Sequence, residues 1–172
     1  MDKIIVQDGF LKKEEIKKCI EIINNKTWKY FHSSKSSRVG NYYWIMKLDD
    51  DEYLNTYIKN IIEKNFSKKF KIIKIYANGQ TYGQDGGYHV DTLEENRYTF
   101  CLYLTDIKEE NIETAGGHLY FDIPNLKYKI CYEPIFNRGI FFPSNYFHMA
   151  KAFSRYIMDL RIVLVWKLEK IL

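Results

Sequence analysis

Two side chains of types that commonly bind metals, His89 and Asp91, stand two positions apart in the second half of this chain. In an extended segment, residues i and i+2 point to the same side, so both side chains can bind one ion. A later strand can bring His148 beside them. Two histidines and one carboxylate leave three positions of an octahedral metal open, which suits Fe(II) that binds O2 and a chelating co-substrate. The spacing therefore predicts an iron site in a β-rich fold.

The His-x-Asp pair is weak evidence by itself, because an isolated His is usually an ordinary core or surface residue. The order of the surrounding segments strengthens the prediction. Residues 71–76 are typical of a strand and lead into a glycine-rich stretch that ends just before His89. Four further strand-like segments follow, each bounded by turn residues, at 97–106, 116–121, 139–144 and 161–166. The ligands thus lie in a succession of strands and turns.

Six short motifs occur in order between about Lys71 and Leu168. They read H-x-D, R-x-T-x-x-x-Y-L, G-G-x-L-x-F, G-x-x-F-P-S, H and R-x-x-x-x-W. As a set they resemble the Fe(II)/2-oxoglutarate-dependent dioxygenases of the prolyl-4-hydroxylase type. That resemblance implies a mainly β fold with flanking helices: a double-stranded β-helix, or jelly roll, with N-terminal packing helices. It also implies Fe(II), 2-oxoglutarate and O2, with ascorbate as a supporting reductant.

The resemblance assigns His89, Asp91 and His148 as metal ligands and catalytic residues. Relatives that halogenate have a small residue in place of the carboxylate, so Asp91 indicates hydroxylation. His118 is the rival ligand, and we interpret it as a structural or rim residue because the family has other residues at that place in its strand. His32 has no partner in the sequence and receives the same interpretation.

Arg161 is the first candidate for binding the distal carboxylate of 2-oxoglutarate. It opens an apolar strand, where a buried charge requires an anion, and a guanidinium matches a carboxylate with two hydrogen bonds. Arg155 is the alternative, because the interval from His148 to Arg161 is longer than is usual in the family. Tyr103 and Tyr76 correspond to tyrosines of the family's co-substrate pocket, although a buried tyrosine needs only some polar partner.

Length and composition predict one compact domain over residues 1–172. The chain is 46% hydrophobic and 17% aromatic, which argues against disorder. The net charge of +4 is spread over interspersed Lys and acidic residues, so a nucleic-acid partner is not indicated. Cys19, Cys101 and Cys131 lack metal-site spacing and indicate reduced thiols. With no apolar signal region and no membrane-length apolar run, we expect a cytoplasmic protein without a membrane partner.

Two amphipathic helices are predicted in an N-terminal support, residues 1–68, ahead of a jelly-roll core at residues 69–170. Residues 11–24 and 50–66 each carry Ile or Leu at helical spacing opposite charged side chains. Such a stripe is usually core, so we expect both helices to pack on the sheet. Residues 28–31 and 42–46 are typical of strands, and the polar segment 33–41 joins them.

The predicted reaction is hydroxylation of a peptide or protein at proline, as the resemblance implies. Segment 33–41, with aromatic residues after it, is typical of a flap that closes over a peptide, although an ordinary surface loop fits the same pattern. We expect Arg38, Tyr82 and Trp44 to contact the substrate. Two alternatives stay open: the same chemistry on a nucleobase or small molecule, and a jelly-roll binding module without catalysis.

Overall fold

Two antiparallel sheets form the body of the protein in a computed structural model that describes residues 3–33, 42–123 and 126–171. The larger sheet contains β1 (Ile5–Gln7), β2 (Lys29–His32), β3 (Tyr43–Lys47), β4 (Phe70–Gln80), β5 (Arg97–Tyr103), β8 (Gly139–Pro143) and β10 (Arg161–Lys170). The smaller sheet contains β6 (Leu119–Asp122), β7 (Ile130–Tyr132) and β9 (Phe147–Ala150). The mainly β fold with flanking helices is confirmed.

The strand order places β10 near the middle of the larger sheet. That sheet runs β1-β8-β5-β10-β4-β3-β2, and the smaller sheet runs β7-β6-β9. Strand β10 pairs antiparallel with β4 on one side and with β5 on the other. The N-terminal segment contributes three strands to this sheet as well as helices, because β1 pairs with β8 and the β2–β3 hairpin extends β4.

The helices differ from the prediction in one respect. Helix α1 spans Lys13–Asn24, whereas the second predicted helix begins as a π-helix, Tyr53–Ile58, and continues as α2, Lys59–Phe66. Side chains of Asn55 and Thr56 donate to the carbonyls of Asp51 and Glu52 at 2.9 and 2.7 Å, which competes with regular helical hydrogen bonding there. A 3-10 turn, Glu109–Asn111, and a short α3, Ile112–Ala115, follow β5. No helix in the described ranges combines the length and apolarity needed to cross a membrane.

Side-chain alternation gives β10 two functional faces. Leu164 and Trp166 face the helices and join the main core, in which the Trp166 indole donates to the Leu54 carbonyl at 3.3 Å. Val163 and Val165 face the smaller sheet and pack with residues such as Phe121. Because alternate residues of a strand share a face, residues 161, 163, 165 and 167 all point between the two sheets. The predicted site lies in that interior.

Candidate active site

Backbone pairing places His89, Asp91 and His148 side by side. His89 and His148 form an isolated antiparallel bridge, in which each N–H donates to the other residue's carbonyl, at 3.0 and 2.9 Å. The Asp91 N–H donates to the Ser144 carbonyl at 2.9 Å, which attaches the His-x-Asp segment to the end of β8. The segment after β4 and strand β9 therefore meet at one end of the interior space.

The geometry of these three side chains suits one metal ion. One ligand atom of each lies within 4.8 Å of the other two. His89 Nε2 lies 3.5 Å from Asp91 Oδ1, and His148 Nε2 lies 3.8 Å from Asp91 Oδ2. Each histidine places Nδ1 at 2.8 Å from a backbone carbonyl, that of Gly87 or Tyr146. A carbonyl can only accept, so the proton resides on Nδ1 and the Nε2 lone pair faces the centre of the group.

Burial and neighbouring charges set the ionisation of the group. Burial lowers the pKa of His148 to about 4, so its imidazole is in the neutral, metal-binding form at physiological pH. Burial alone would raise the pKa of Asp91, but the charge of Lys167 and the two histidines together hold that pKa far below its usual value. The site thus presents two imidazole nitrogens and one carboxylate, the donor set typical of Fe(II) oxygenases.

Lys167 was missed by sequence reasoning. It forms an ion pair with Asp91 Oδ2 from the far end of β10, and it also donates to Thr99 Oγ1 at 3.2 Å. Thr99 Oγ1 in turn donates to Asp91 Oδ2 at 2.6 Å and contacts Ser144 Oγ at 2.9 Å. The sequence contained a signal for this position, because side chains of a strand alternate between its two faces. If Arg161 faces the interior, then Lys167, six positions later in the same strand, faces it too.

A cavity of about 260 Å³ adjoins the side chains of His89, Asp91 and His148 and extends along β10 to Arg161. Its wall combines apolar side chains, such as Val163 and Val165, with hydrogen-bonding groups. The polar wall residues outside the metal group are His32, Ser33, Tyr43, Tyr76, Asn78, Gln80, Thr99, Tyr103, Arg161 and Lys167. A cavity with an apolar wall and a few convergent polar groups is typical of a small-ligand site.

Arg161 is buried in this wall with neutral partners. It is 2% exposed, and its guanidinium donates to the Gly117 carbonyl at 2.8 Å, to Gln80 Oε1 at 2.8 Å and to the Tyr103 hydroxyl at 3.1 Å. Within the described ranges it forms no ion pair. A buried cation without an anion is unfavourable, so the guanidinium is suited to a carboxylate ligand.

Three further groups in the wall fit such a ligand. Burial raises the pKa of Tyr103 and Tyr76, so both phenols keep the proton that they can donate to an anion. Asn78 Oδ1 is buried and has no hydrogen-bond partner among the described residues. Asn78 stands between Tyr76 and Gln80 on the same face of β4. A buried carbonyl oxygen of this kind in a cavity wall can accept a hydrogen bond from a bound molecule or water.

Of the three other positions weighed in the sequence, two lie outside the cavity wall and His32 lies in it. Arg155 is exposed, and its guanidinium contacts the Tyr156 ring at 5.3 Å. His118 is half-buried, with its ring 5.9 Å from that of Tyr120, and it is not part of the three-residue metal group found in the described ranges. His32, to which the sequence assigned no role, lines the cavity and stacks edge-on against Tyr43 at 5.2 Å.

The predicted substrate residues are not brought together. Trp44 packs on Tyr30, with ring centroids 5.0 Å apart, and Tyr82 is 65% exposed in the turn after β4. Neither contributes to the described wall of the cavity. Arg38 and most of the predicted flap, 34–41, lie outside the described residues. The substrate contacts stay a prediction.

The sequence pattern of the 2OG-Fe(II) oxygenase superfamily matches residues 74–164, which is more than half of the 172 residues. The chain belongs to this superfamily. The resemblance seen in the motifs is confirmed, and the protein is an Fe(II)- and 2-oxoglutarate-dependent oxygenase. Its His89, Asp91 and His148 group supplies the donor set that Fe(II) requires. No sequence among the curated proteins matches this oxygenase.

Solved structures share the fold of this oxygenase at low sequence identity. A Trichoplax adhaerens prolyl hydroxylase, in complex with a peptide fragment of the hypoxia inducible factor oxygen degradation domain, has a TM-score of 0.73 and 16% identity, over 96% of this chain and 83% of that one. A Pseudomonas putida prolyl-4-hydroxylase has a TM-score of 0.69 and 15% identity, over 98% and 92%. The alpha-ketoglutarate-dependent epimerase SnoN, from nogalamycin biosynthesis, has a TM-score of 0.71 and 12% identity, over 98% and 76%. These likenesses establish the jelly-roll fold and leave the substrate open.

Proposed function

We propose that this oxygenase hydroxylates a peptide or protein at a proline residue, and that residues 1–172 act as one catalytic domain. The main support for a peptide or protein substrate is the small volume of the cavity, about 260 Å³. Sites that enclose a drug-sized ligand measure about 300–1,000 Å³. A cavity below that range accommodates the co-substrate and one small side chain, while the rest of a large substrate stays on the surface.

We assign the co-substrate roles from the contacts in the wall. His89, Asp91 and His148 hold Fe(II). Arg161 binds the distal carboxylate of 2-oxoglutarate, and the Tyr103 hydroxyl, 3.1 Å from the guanidinium, is placed to bind the same carboxylate. Tyr76 lines the cavity on the neighbouring strand, where its hydroxyl can donate a hydrogen bond to the co-substrate.

The overall reaction balances without any further reactant. When bound, Fe(II) and 2-oxoglutarate supply the oxidising power that converts O2 and a C–H bond into a hydroxyl group, with succinate and CO2 as co-products. One oxygen atom of O2 enters succinate and the other enters the substrate. The protein holds the co-substrate between Arg161 and the metal group, and Val163 and Val165 keep the intervening wall apolar.

Structural relatives support a peptide substrate but also suggest a second candidate. The Trichoplax adhaerens enzyme is in complex with a peptide, whereas SnoN is an epimerase of nogalamycin biosynthesis. The polar wall formed by His32, Tyr43 and Asn78 could hydrogen-bond a hydroxylated small molecule. A small-molecule substrate is therefore the second candidate.

The test is a turnover assay with matched substrate sets. The enzyme is incubated with Fe(II), 2-oxoglutarate, O2 and a proline-containing peptide library, and with the same library in which alanine replaces proline. We expect succinate release and a mass gain of one oxygen atom that tandem mass spectrometry maps to proline, and neither with Asp91→Ala. Turnover with nucleosides or polyketide-like molecules, and none with either library, would instead support oxidation outside peptides.

A further inference from the structure

The two carboxylate oxygens of Asp91 have different surroundings. Oδ1 faces His89 Nε2 at 3.5 Å. Oδ2 accepts a hydrogen bond from Thr99 Oγ1 at 2.6 Å and forms the ion pair with Lys167. Two protein donors therefore bind Oδ2, which also lies 3.8 Å from His148 Nε2, whereas Oδ1 faces His89 Nε2.

The Lys167 side chain is held in this position from several sides. It is 18% exposed, its ammonium donates to Thr99 Oγ1 at 3.2 Å, and it lies 5.9 Å from the centre of the Tyr76 ring. A lysine loses rotamer entropy when it is fixed in this way. A cation beside a metal centre also repels the metal. The ion pair with the buried Asp91 carboxylate offsets part of these costs, so the experiment must separate a structural role of Lys167 from a role at the metal group.

We propose that Lys167 is a positioning residue that binds Oδ2 of Asp91 and thereby leaves only Oδ1 to bind iron. Carboxylates can bind metals through one or two oxygens. If both oxygens of Asp91 bound, the protein would occupy four positions of an octahedral ion and leave two, where the co-substrates need three. Lys167 thus lowers the affinity of the site for the metal but keeps three coordination positions open for the co-substrates. This inference rests on the Fe(II) and 2-oxoglutarate assignment and does not depend on which substrate is hydroxylated.

The proposal predicts that loss of Lys167 strengthens metal binding and slows turnover. In Lys167→Met the second oxygen becomes available and the neighbouring positive charge is lost. We expect Co(II), used as the probe metal, to bind about tenfold more tightly, since both changes favour the ion. At the same time, succinate formation with Fe(II) at saturating 2-oxoglutarate, measured without added substrate, should fall by a similar factor. A residue that merely supported the fold would lower both quantities together.

The experiment combines Co(II) titration, the d–d absorption spectrum of the Co(II) protein and the rate of succinate formation. The spectrum reports the number of bound donor atoms, so it should change in Lys167→Met and stay close to wild type in Lys167→Arg, which retains the charge. Lys26→Met is the matched control, because Lys26 forms a similar pair with Asp50 at 2.8 Å, away from the cavity. We expect all three measurements to be unchanged in that control.

Two results would overturn the proposal. The first is weaker Co(II) binding in Lys167→Met together with lower turnover, and the second is an unchanged Co(II) spectrum. If Lys167→Met does not fold, Thr99→Val removes the other donor to Oδ2 and should tighten Co(II) binding in the same direction by a smaller factor. Weaker Co(II) binding in folded Thr99→Val would refute the positioning role in that case.

Discussion

Replacing Arg161 by methionine tests the assignment of the co-substrate pocket. Methionine retains most of the side-chain volume and removes the charge that is buried among neutral partners. Truncating one partner of a buried, hydrogen-bonded charge pair costs about 2–5 kcal/mol. With about 1.4 kcal/mol for each factor of ten, the affinity for 2-oxoglutarate should fall between roughly thirtyfold and a few thousandfold. The lower part of this range is expected, because Tyr103 remains as a neutral donor.

The assay measures the 2-oxoglutarate dissociation constant of the Co(II)-loaded protein by calorimetry and the Michaelis constant for 2-oxoglutarate with Fe(II). Arg155→Met makes the same substitution at an exposed arginine and should leave both constants within about twofold, since surface changes have small effects. Thermal unfolding is followed in parallel, because Arg161→Met removes the donor of three buried hydrogen bonds. A folded Arg161→Met protein with wild-type affinity, or a defect confined to Arg155→Met, would refute the assignment.

Three further predictions concern the stability of the fold, its pH dependence and the choice of metal ligands. Gly117→Ala should lower the free energy of unfolding by roughly 2–4 kcal/mol in denaturant titrations, because Gly117 has a φ of +74° and an added Cβ would lie 2.5 Å from the Phe153 ring; a stability within error of wild type would contradict this. Burial raises the pKa of Glu63, but hydrogen bonds from Lys69, the Phe70 N–H and Lys59 outweigh it and lower the pKa overall. Its ionised form therefore stabilises the fold above the ordinary glutamate pKa of about 4.3, and wild type should lose stability relative to Glu63→Gln as the pH falls below that value. His148→Ala should abolish stoichiometric Fe(II) binding in equilibrium dialysis, whereas His118→Ala should retain it, and the reverse pattern would exchange their roles.

Local spacing was sufficient to predict much of the fold and the metal group. His89 and Asp91 share a face because an extended chain alternates, and this follows from two positions alone. Helix α1 was predicted because its apolar stripe is local. The π-helix at Tyr53–Ile58 was not predicted, since the change from α-helical to π-helical hydrogen bonding leaves the apolar periodicity nearly unchanged.

Long-range register accounts for what sequence reasoning missed. His32 reaches the cavity because β2 pairs with β3, and β3 pairs with β4, and no local pattern specifies those partners. Trp44 is directly opposite Gly79, whose neighbours in β4, Asn78 and Gln80, line the cavity. Gly79 therefore belongs to the other face of the sheet, which explains why Trp44 is not in the described cavity wall.

Because a single strand, β10, carries Arg161 and Lys167, the length of the cavity can change only in coarse steps. Inserting one residue between them would turn one of the two side chains toward the helices, since facing alternates along a strand. Inserting two residues would restore the facing but add about 7 Å, several times the length of a carbon–carbon bond. A shift to a dicarboxylate one methylene longer or shorter is therefore not accessible by insertion or deletion in β10. Such a change of co-substrate would have to come from substitutions at Arg161 and the side chains around it.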